Sequence, residues 1–347
     1  MVGVDIGVSS VKVVEVHAAR GDKPPMLGRC ASELLDQGVV VDGNLVHIDA
    51  VAATIGAALR KARIRARTAT LALPPALVET ATLSLPDNLA QEELGVEIEN
   101  EALRLYAPSE HVSYDHAVVA HNQAAQSLTI HIVATRRDSV QERVLALEMA
   151  GLKAHAMEVE ETAIHRVMVR RARSAQPPRA PLAIEMLVHL GASYSMAIFY
   201  QDGVPVHREH LNSTGDQLTQ NCARTFRQDL RKVEIQKRKN ALPREWRVQV
   251  VQPSLELLAM EIQGAISSFA MRSTLGNVEQ VLLSGGHAML HGLPEAVQAQ
   301  TRVPTERLDP FACMAIGTHI NQRYYQRDLC ALIVGAGLGM RGLALSS

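Results

Sequence analysis

A short polar phrase that occurs twice is the part of this chain best suited to chemistry. Residues 5–9 read DIGVS, and residues 189–193, which begin 184 positions later, read HLGAS. In each copy a glycine and a serine stand between two apolar runs, which predicts a β-hairpin with a polar tip. The backbone N–H groups of such a tip can bind a phosphate. Two tips that face each other would hold a nucleotide in the cleft between two domains.

A third glycine turn follows a later apolar run. Residues 278–283 predict a strand, and this strand leads into Gly285 and Gly286. Because glycine has no Cβ, a turn at this pair would let the backbone approach a flat or anionic ligand closely.

The elements that must position these turns fall into two halves. A hairpin is predicted over residues 2–16, followed by a helix over residues 51–62 and a strand over residues 68–73 that ends at two prolines. A second hairpin begins at about residue 182, and residues 215–271 pattern mostly as helices. A chain of 347 residues exceeds what one hydrophobic core usually supports, so we expect two or more domains.

Residues 76–152 interrupt the first half with a different pattern. Strands are predicted over residues 77–85 and 128–132, with a helix between them and a second helix that Asp138 caps. This pattern predicts a compact α+β insert with a small core of its own. An insert in a nucleotide-binding lobe is typical of an interaction module, so we expect a partner to bind here.

The composition argues against several classes of protein. The net charge is −1 and only 3% of the residues are aromatic, so nucleic-acid binding is not expected as the main function. The four cysteines form no C-x-x-C pair and the 14 histidines show no metal-ligand spacing, which argues against a zinc site or a disulfide framework. Residues 2–16 do not pattern as a signal peptide, and the apolar run 329–340 is shorter than the roughly 20 residues of a membrane span. We expect a soluble, cytosolic protein unless a partner recruits it to a membrane.

A basic run at residues 60–67 reads RKARIRAR. Each cation close to a membrane contributes about 1 kcal/mol through acidic lipid headgroups. The other interpretation is a solvated helix end followed by a loop, and the sequence alone leaves both open.

The order and spacing of these motifs resembles the PilM family, the actin-like cytoplasmic proteins of the type IV pilus assembly platform. The three glycine turns resemble the two phosphate motifs and the adenosine motif of the superfamily that unites actin, heat-shock chaperones and sugar kinases. Further likeness lies in GDQLT at residues 215–219 and GAGLGMR at residues 335–341. The resemblance implies an actin-like, two-lobed, duplicated α/β fold with an inserted α+β subdomain as in FtsA. The predicted parts are a first lobe over residues 1–75, completed by 153–175 and the C-terminal segment 318–347; a partner-binding insert over 76–152; a proline-rich linker over 171–181; a second lobe over 182–214 and 263–317; and a mostly helical subdomain over 215–262.

The resemblance also implies ATP or ADP, with Mg²⁺, between the lobes. Asp5 would lie next to the metal, through water, or would only cap the turn as a strand-end aspartate. Lys12 would pair with a phosphate or be an exposed strand lysine. Glu234 and Lys237 would border the ribose and adenine or form an i, i+3 surface pair. The residues implied for nucleotide binding are Asp5, Gly7, Val8, Ser9, Ser10, Lys12, Gly191, Ala192, Ser193, Gly215, Glu234, Lys237, Gly285 and Gly286.

Two residues depart from the superfamily pattern. Asp216 stands where relatives often have a second glycine, which puts tight packing of the turn at Gly215 in question. His189 stands where an active member has an aspartate that helps to hold the metal or its waters, and an imidazole adds no negative charge. Glu160 remains as a candidate water-positioning carboxylate, or as an exposed glutamate at a helix start. We therefore expect slow or absent ATP hydrolysis.

Members of this family bind the N-terminal cytoplasmic tail of PilN, a single-span inner-membrane protein, in a groove that involves the insert. The resemblance implies an ATP-binding scaffold, cytoplasmic and peripheral at the inner face of the membrane, with other platform proteins and assembly ATPases as further partners. The groove is expected around residues 83–106 and 129–134. A sugar kinase and an FtsA-like polymerising cell-division protein are the alternatives. A kinase would need an acidic base where His189 stands, and FtsA-like proteins usually end in a basic amphipathic helix.

Overall fold

Two β-sheets of matching topology organise the part of the chain that the computed structural model describes, residues 1–18, 24–107, 111–174 and 183–343. The strands are β1 (Val2–Ile6), β2 (Ser10–His17), β3 (Met26–Leu34), β4 (Val40–Val41), β5 (Asn44–Leu45), β6 (Thr68–Leu73), β7 (Glu79–Pro86), β8 (Val112–Asn122), β9 (Ser127–Arg136), β10 (Lys153–Val159), β11 (Ile184–Leu190), β12 (Ser195–Gln201), β13 (Val204–Leu211), β14 (Val278–Ser284), β15 (Thr305–Arg307) and β16 (Ala315–Ile316). The first sheet has the order β10-β6-β1-β2-β3-β16 and the second has the order β13-β12-β11-β14-β15.

Helices cover both sheets. They are α1 (Ile48–Ala62), α2 (Gln91–Leu105), α3 (Arg137–Met149), α4 (Glu160–Ser174), α5 (Gly215–Phe226), α6 (Leu230–Arg238), α7 (Arg244–Trp246), α8 (Gln252–Arg272), α9 (Leu293–Thr301), α10 (Gln322–Asp328) and α11 (Ile333–Gly339). A π-helical segment over Arg247–Val251 joins α7 to α8. Single 3₁₀ turns lie at Pro75–Leu77, Gly286–Met289, Leu329–Leu332 and Met340–Leu343.

The two hairpins predicted from the repeated phrase are present and equivalent. β1 pairs antiparallel with β2, and β11 pairs antiparallel with β12. The parallel strands β6 and β14 lie on the other side of β1 and β11. At the tips, the Gly7 N–H donates to the Ser10 carbonyl at 3.1 Å and the Gly191 N–H donates to the Tyr194 carbonyl at 2.9 Å. Each tip is therefore the same four-residue turn, as expected of a duplicated fold.

The first strand of the first sheet is enclosed on both faces. Val2, Val4 and Ile6 share a core with α1, because alternate residues of a strand point to one face. Gly3 lies on the opposite face, where a Cβ would overlap the Gly335 carbonyl of α11. Asp5 has the same parity as Gly3, so β1 presents it on the face opposite α1.

The apolar run over residues 329–340 is part of the first lobe. Its helix α11 packs against β1, β2 and α4. The packing depends on Gly337, since a Cβ at this position would overlap the Ala163 carbonyl of α4. Within the described ranges, no helix is both long enough and apolar enough to cross a membrane.

The insert has its own core but is shorter than predicted. Its sheet, in the order β7-β9-β8, is covered by α2, whose Ile98 packs on Ile130 and Ile132. Helix α3 lies outside this core, because its Ala146 and Leu147 are buried with α1 in the first lobe. The predicted C-terminal boundary of the insert is therefore wrong, and the insert's own elements end with β9.

Three other predicted boundaries need correction. Helix α4 continues to Ser174, so the predicted linker at 171–181 begins as helix, and its part from residue 175 lies outside the described residues. Strand β16, assigned to the second lobe from sequence, pairs with β3 in the first sheet. The predicted boundary between residues 262 and 263 falls inside α8, and α5, α6 and α8 share one core with the second sheet, which includes Leu218, Val233, Leu258 and Phe199.

Candidate functional site

The structure brings all of the predicted nucleotide-binding residues together at one cleft between the two hairpin tips. The free volume of the cleft is about 90 Å³, whereas small-molecule pockets commonly measure roughly 300–1,000 Å³. Contacts join the lobes across it: the Tyr194 hydroxyl donates to Glu160, and Arg238 donates to the Ser32 hydroxyl at 2.8 Å. A second cavity of about 310 Å³ adjoins the cleft and shares Val8, Ser9, Ser193 and Glu234 with its lining, so the free space between the tips is larger than this inner part.

Asp5 and Lys12 form a buried ion pair at the first tip. They are register partners on β1 and β2, which places both side chains on one face of the sheet, with Nζ 3.2 Å from Oδ2. The Lys12 side chain is only 13% exposed, so the interpretation as an exposed strand lysine is wrong. Pairing offsets the cost of burying the two charges. A phosphate at this tip would share the Lys12 ammonium with Asp5.

Glu160 lies in the cleft and is not an exposed helix-start residue. It begins α4, is buried, and accepts a hydrogen bond from the Tyr194 hydroxyl. Burial and the neighbouring Asp5 charge raise the pKa of Glu160 to about 7. Burial and the Glu160 charge raise the pKa of Tyr194 well above its ordinary value, so the phenol stays protonated and can donate. This hydrogen bond ties the first lobe to the second tip.

His189 lies at the end of β11, beside Ser284. Its Nδ1 is 3.1 Å from the Ser284 hydroxyl, and the residue is buried. Burial, and to a smaller extent the Lys12 ammonium, lowers the pKa of His189 to about 4. The imidazole is therefore neutral at pH 7 and supplies no negative charge toward a metal.

The buried imidazole of His189 predicts a loss of stability in acid. Its pKa falls from 6.5 to about 4 on folding, so its contribution is fully present above pH 6.5 and is lost as the pH falls toward 4. The loss should reach about 3 kcal/mol of unfolding free energy at the acid end. Denaturant titrations at several pH values give the free energy of unfolding as a function of pH. Between pH 6.5 and 4 this free energy should fall less steeply for His189→Asn than for the wild type. Equal pH dependence in the two proteins would contradict the lowered pKa of His189.

The pair predicted at Glu234 and Lys237 forms, but inside the cleft and not on the surface. Its Nζ–Oε2 distance is 2.6 Å, and the two side chains are 10% and 17% exposed. Lys237 also donates to the Gly215 carbonyl at 2.9 Å. The turn at Gly215 is tight despite Asp216, because the Asp216 N–H donates to the Ala192 carbonyl at 2.9 Å. The start of α5 is thus tied to the second tip.

The glycine pair after β14 packs directly on the second tip. Gly285 has a φ of +87°, and a Cβ there would overlap the carbonyl that ends β11. His287 follows in the same turn, lines the cleft and is buried, and its Nδ1 has no hydrogen-bond partner among the described residues. Burial, followed by the Lys237 charge, lowers the pKa of His287 to about 3.

Sequence reasoning missed three residues of the cleft, His287, Tyr194 and Arg238. Each is the next residue in the chain after one that was predicted to bind the nucleotide.

Two carboxyl groups in the cleft, Asp5 of β1 and Glu160 at the start of α4, suit a metal that arrives with its phosphate. Magnesium bound to a nucleotide commonly uses one or two protein carboxylates and water. Asp5 and Glu160 provide two neighbouring carboxyl groups in the cleft. In the part of the chain described, no group of three His, Cys, Asp or Glu side chains could hold a metal alone. The donor set therefore fits nucleotide-bound Mg²⁺ better than a resident ion.

A larger groove separates the insert from the first lobe. It measures about 580 Å³ and is lined by Tyr114 of β8 and Val133 of β9 on one side and Met157 of β10 on the other. At its floor Glu158 accepts from Arg166 at 2.8 and 2.9 Å and from Arg341.

The region that the sequence analysis expected to bind a partner overlaps this groove only in part. Its lining overlaps the predicted region 129–134 at Val133 and Ala134. The predicted region 83–106 does not line it, because those residues form β7 and α2, which pack on each other. Strand β8 was missed altogether.

Matching sheets, equivalent tips and a cleft between them define an actin-like protein. The family model for the type IV pilus assembly protein PilM matches residues 3–343, and the chain belongs to this family. A solved PilM–PilN type IV pilus biogenesis complex is similar at a TM-score of 0.79, with 25% identity over 99% of this chain and 98% of that chain. The ethanolamine utilization protein EutJ from Carboxydothermus hydrogenoformans shares the fold at a TM-score of 0.55, with 15% identity over 98% of this chain and 88% of that one. The resemblance stated from sequence and the actin-like fold are both confirmed.

Proposed function

We propose that this protein is a nucleotide-binding scaffold of type IV pilus assembly that binds the N-terminal cytoplasmic tail of a PilN-like membrane protein. The observation that carries the nucleotide part is the convergence of three glycine turns on one cleft. The similarity to a PilM–PilN complex supports the partner. With the corrected boundaries, we retain two lobes and an insert as the domain organisation, and the partner would hold the protein at the inner face of the membrane.

The residues of the cleft have distinct roles in this proposal. The N–H groups around Gly7 and Gly191 and the hydroxyls of Ser9 and Ser193 bind the phosphates. Lys12 adds the charge that a phosphate needs, and Asp5 faces the metal through water. When bound, Mg²⁺ neutralises phosphate charge. On the base side, Glu234, Lys237 and the Gly285–Gly286 turn border the ribose and adenine.

The Tyr194–Glu160 hydrogen bond joins the lobes at the cleft, so any opening of the lobes would break it. ATP hydrolysis should be slow or absent, because His189 is neutral and adds no negative charge toward the metal. Phosphate release measured beside ATP affinity tests this directly. Fast Mg²⁺-dependent turnover would contradict it and favour an enzyme.

The groove between insert and lobe is the proposed binding site for the partner's tail. It offers apolar walls and an arginine pair at its floor, an arrangement that suits an extended peptide with alternating apolar and polar groups. Glu158, at this floor, stands two residues before Glu160 in the cleft. The junction of β10 and α4 therefore belongs to both sites, which is why peptide binding should be measured with and without ATP.

Replacing Tyr114 by alanine should lower the affinity for the tail peptide of a PilN-like protein by about 30-fold. A large aromatic side chain at the centre of a peptide groove typically contributes about 2 kcal/mol. Tyr114 is 41% exposed without the partner, so its removal should leave the fold intact. Fluorescence or calorimetric titration of the full chain with the peptide measures the effect.

The matched control is Val118→Ala, on the same strand but outside the groove. It is 53% exposed and should bind the peptide like the wild type. Equal loss in both variants, or no binding of the peptide by the wild type with or without ATP, would contradict the groove assignment.

A further inference from the structure

An exposed cluster of cations lies on the first lobe, away from the cleft and the groove. We call it the arginine patch, and it consists of Arg60, Arg63, Arg65, Arg67 and Lys153. All five residues are exposed, although the chain as a whole has a net charge of −1. The patch is therefore a local excess of positive charge that the overall composition conceals.

The backbone presents these side chains in a regular way. Helix α1 ends at Ala62, and Arg63 follows as its C-cap residue with a left-handed φ of 55°. Burial alternates in the next residues: Ile64 packs in the core of the first lobe, whereas Arg65 and Arg67 are exposed. The Lys153 N–H donates to the Arg67 carbonyl at 2.8 Å, so the edge strand β10 begins with the exposed Lys153 next to Arg67 in the fold.

The patch differs from the neighbouring Lys61 in its contacts. Lys61, in the same segment, pairs with Glu33 at 2.7 Å and donates to the Ser32 carbonyl at 2.9 Å. None of the five patch side chains has an ion pair or a hydrogen bond within residues 1–18, 24–107, 111–174 and 183–343. Exposed cations that are not used for stability are free to bind an external anion.

Apolar side chains flank the patch. Ala150, Gly151 and Leu152 line the same surface depression as the arginines. Just before them, at the end of α3, Leu145 is 46% exposed and Met149 is 55% exposed, with the exposed Glu148 between them. Cations beside exposed apolar side chains are typical of surfaces that bind at a lipid–water interface, where headgroups meet acyl chains.

We infer that the arginine patch and its apolar rim bind an anionic lipid surface. Clusters of roughly 4–8 Lys and Arg residues commonly bind acidic headgroups at a membrane. An acidic protein would account for the cations but would not require the exposed Leu145 and Met149. The patch thus gives the first lobe a direct contact with the membrane, independent of the partner in the groove.

Co-flotation of the full chain with lipid vesicles tests this inference. We expect binding to phosphatidylcholine vesicles that contain phosphatidylglycerol, weakening as salt is added, and none to phosphatidylcholine alone. Each patch cation contributes about five-fold, so removing three should cost about 100-fold in partitioning, and the charge-reversing triple variant R63E/R65E/R67E should lose at least that much. The control R224E/R244E/R272E makes the same charge change at exposed sites on the second lobe and should bind like the wild type.

Three outcomes would overturn the inference. They are absence of flotation with anionic vesicles, equal loss in both triple variants, and tighter binding to a polyglutamate peptide than to vesicles. A further variant, L145S/M149S, separates lipid from a simple polyanion. It should partition less into anionic vesicles while its weak binding of polyglutamate stays unchanged. Matching thermal unfolding curves establish that each variant is folded.

Discussion

Replacing Gly337 by alanine is expected to lower the free energy of unfolding by at least about 3 kcal/mol, because the added Cβ overlaps the Ala163 carbonyl. Helix α11 lies directly against β1, β2 and α4, so it cannot move away without separating the layers that hold Asp5 and Glu160. The Gly337 carbonyl also accepts from Arg166 at 2.7 Å, which links the same residue to the floor of the groove. Chemical denaturation followed by circular dichroism measures the change.

Gly264→Ala is the matched control for this prediction. Gly264 lies within α8, and a Cβ there would meet nothing within 4 Å. Alanine is the better helix former, so this variant should be more stable than the wild type by about 0.5–1 kcal/mol. Equal stability of the two variants would show that α11 does not pack as described.

Replacing Ser193 by glutamate should lower ATP affinity by about 100-fold. Ser193 stands at the second tip, where the proposal places the phosphates, and a carboxylate within several Å of them adds repulsion of a few kcal/mol. The residue is exposed in the structure, so the substitution should leave the unfolding free energy almost unchanged. Calorimetric titration with ATP and Mg²⁺ measures the affinity.

A charge far from the cleft is the control for Ser193→Glu. Ser267 is exposed on α8 and does not line the cleft. Ser267→Glu should bind ATP like the wild type. If both variants kept full affinity, the second tip would not be a phosphate-binding turn.

The two tips could be predicted from sequence because each is a local structure. The conformation of a four-residue turn is determined by residues that are adjacent in sequence, here a glycine and a serine between two apolar runs. The turns at Gly7 and Gly191 have the same hydrogen bond, as predicted. The pairing of Glu234 with Lys237 was also local, since residues three apart meet on one helix face. The burial of this pair could not be predicted in the same way, because it depends on which element of the fold packs against α6.

The remaining features of the site depend on contacts between distant parts of the chain. The Tyr194–Glu160 hydrogen bond joins residues 34 positions apart and forms only once both sheets are assembled. The pattern of α3 predicted a helix but not whether α1 or the insert would cover it. Strand β16 has two residues, too few to show a period. These contacts belong to tertiary packing, which a single sequence shows only indirectly.

The central claim is that both hairpin tips bind one nucleotide, and hydrogen–deuterium exchange with and without ATP and Mg²⁺ tests it most directly. We expect backbone amides in residues 5–12 and in residues 189–195 to become protected together, at the same ATP concentration. Protection of one tip alone, or of neither at concentrations where calorimetry detects binding, would contradict the claim.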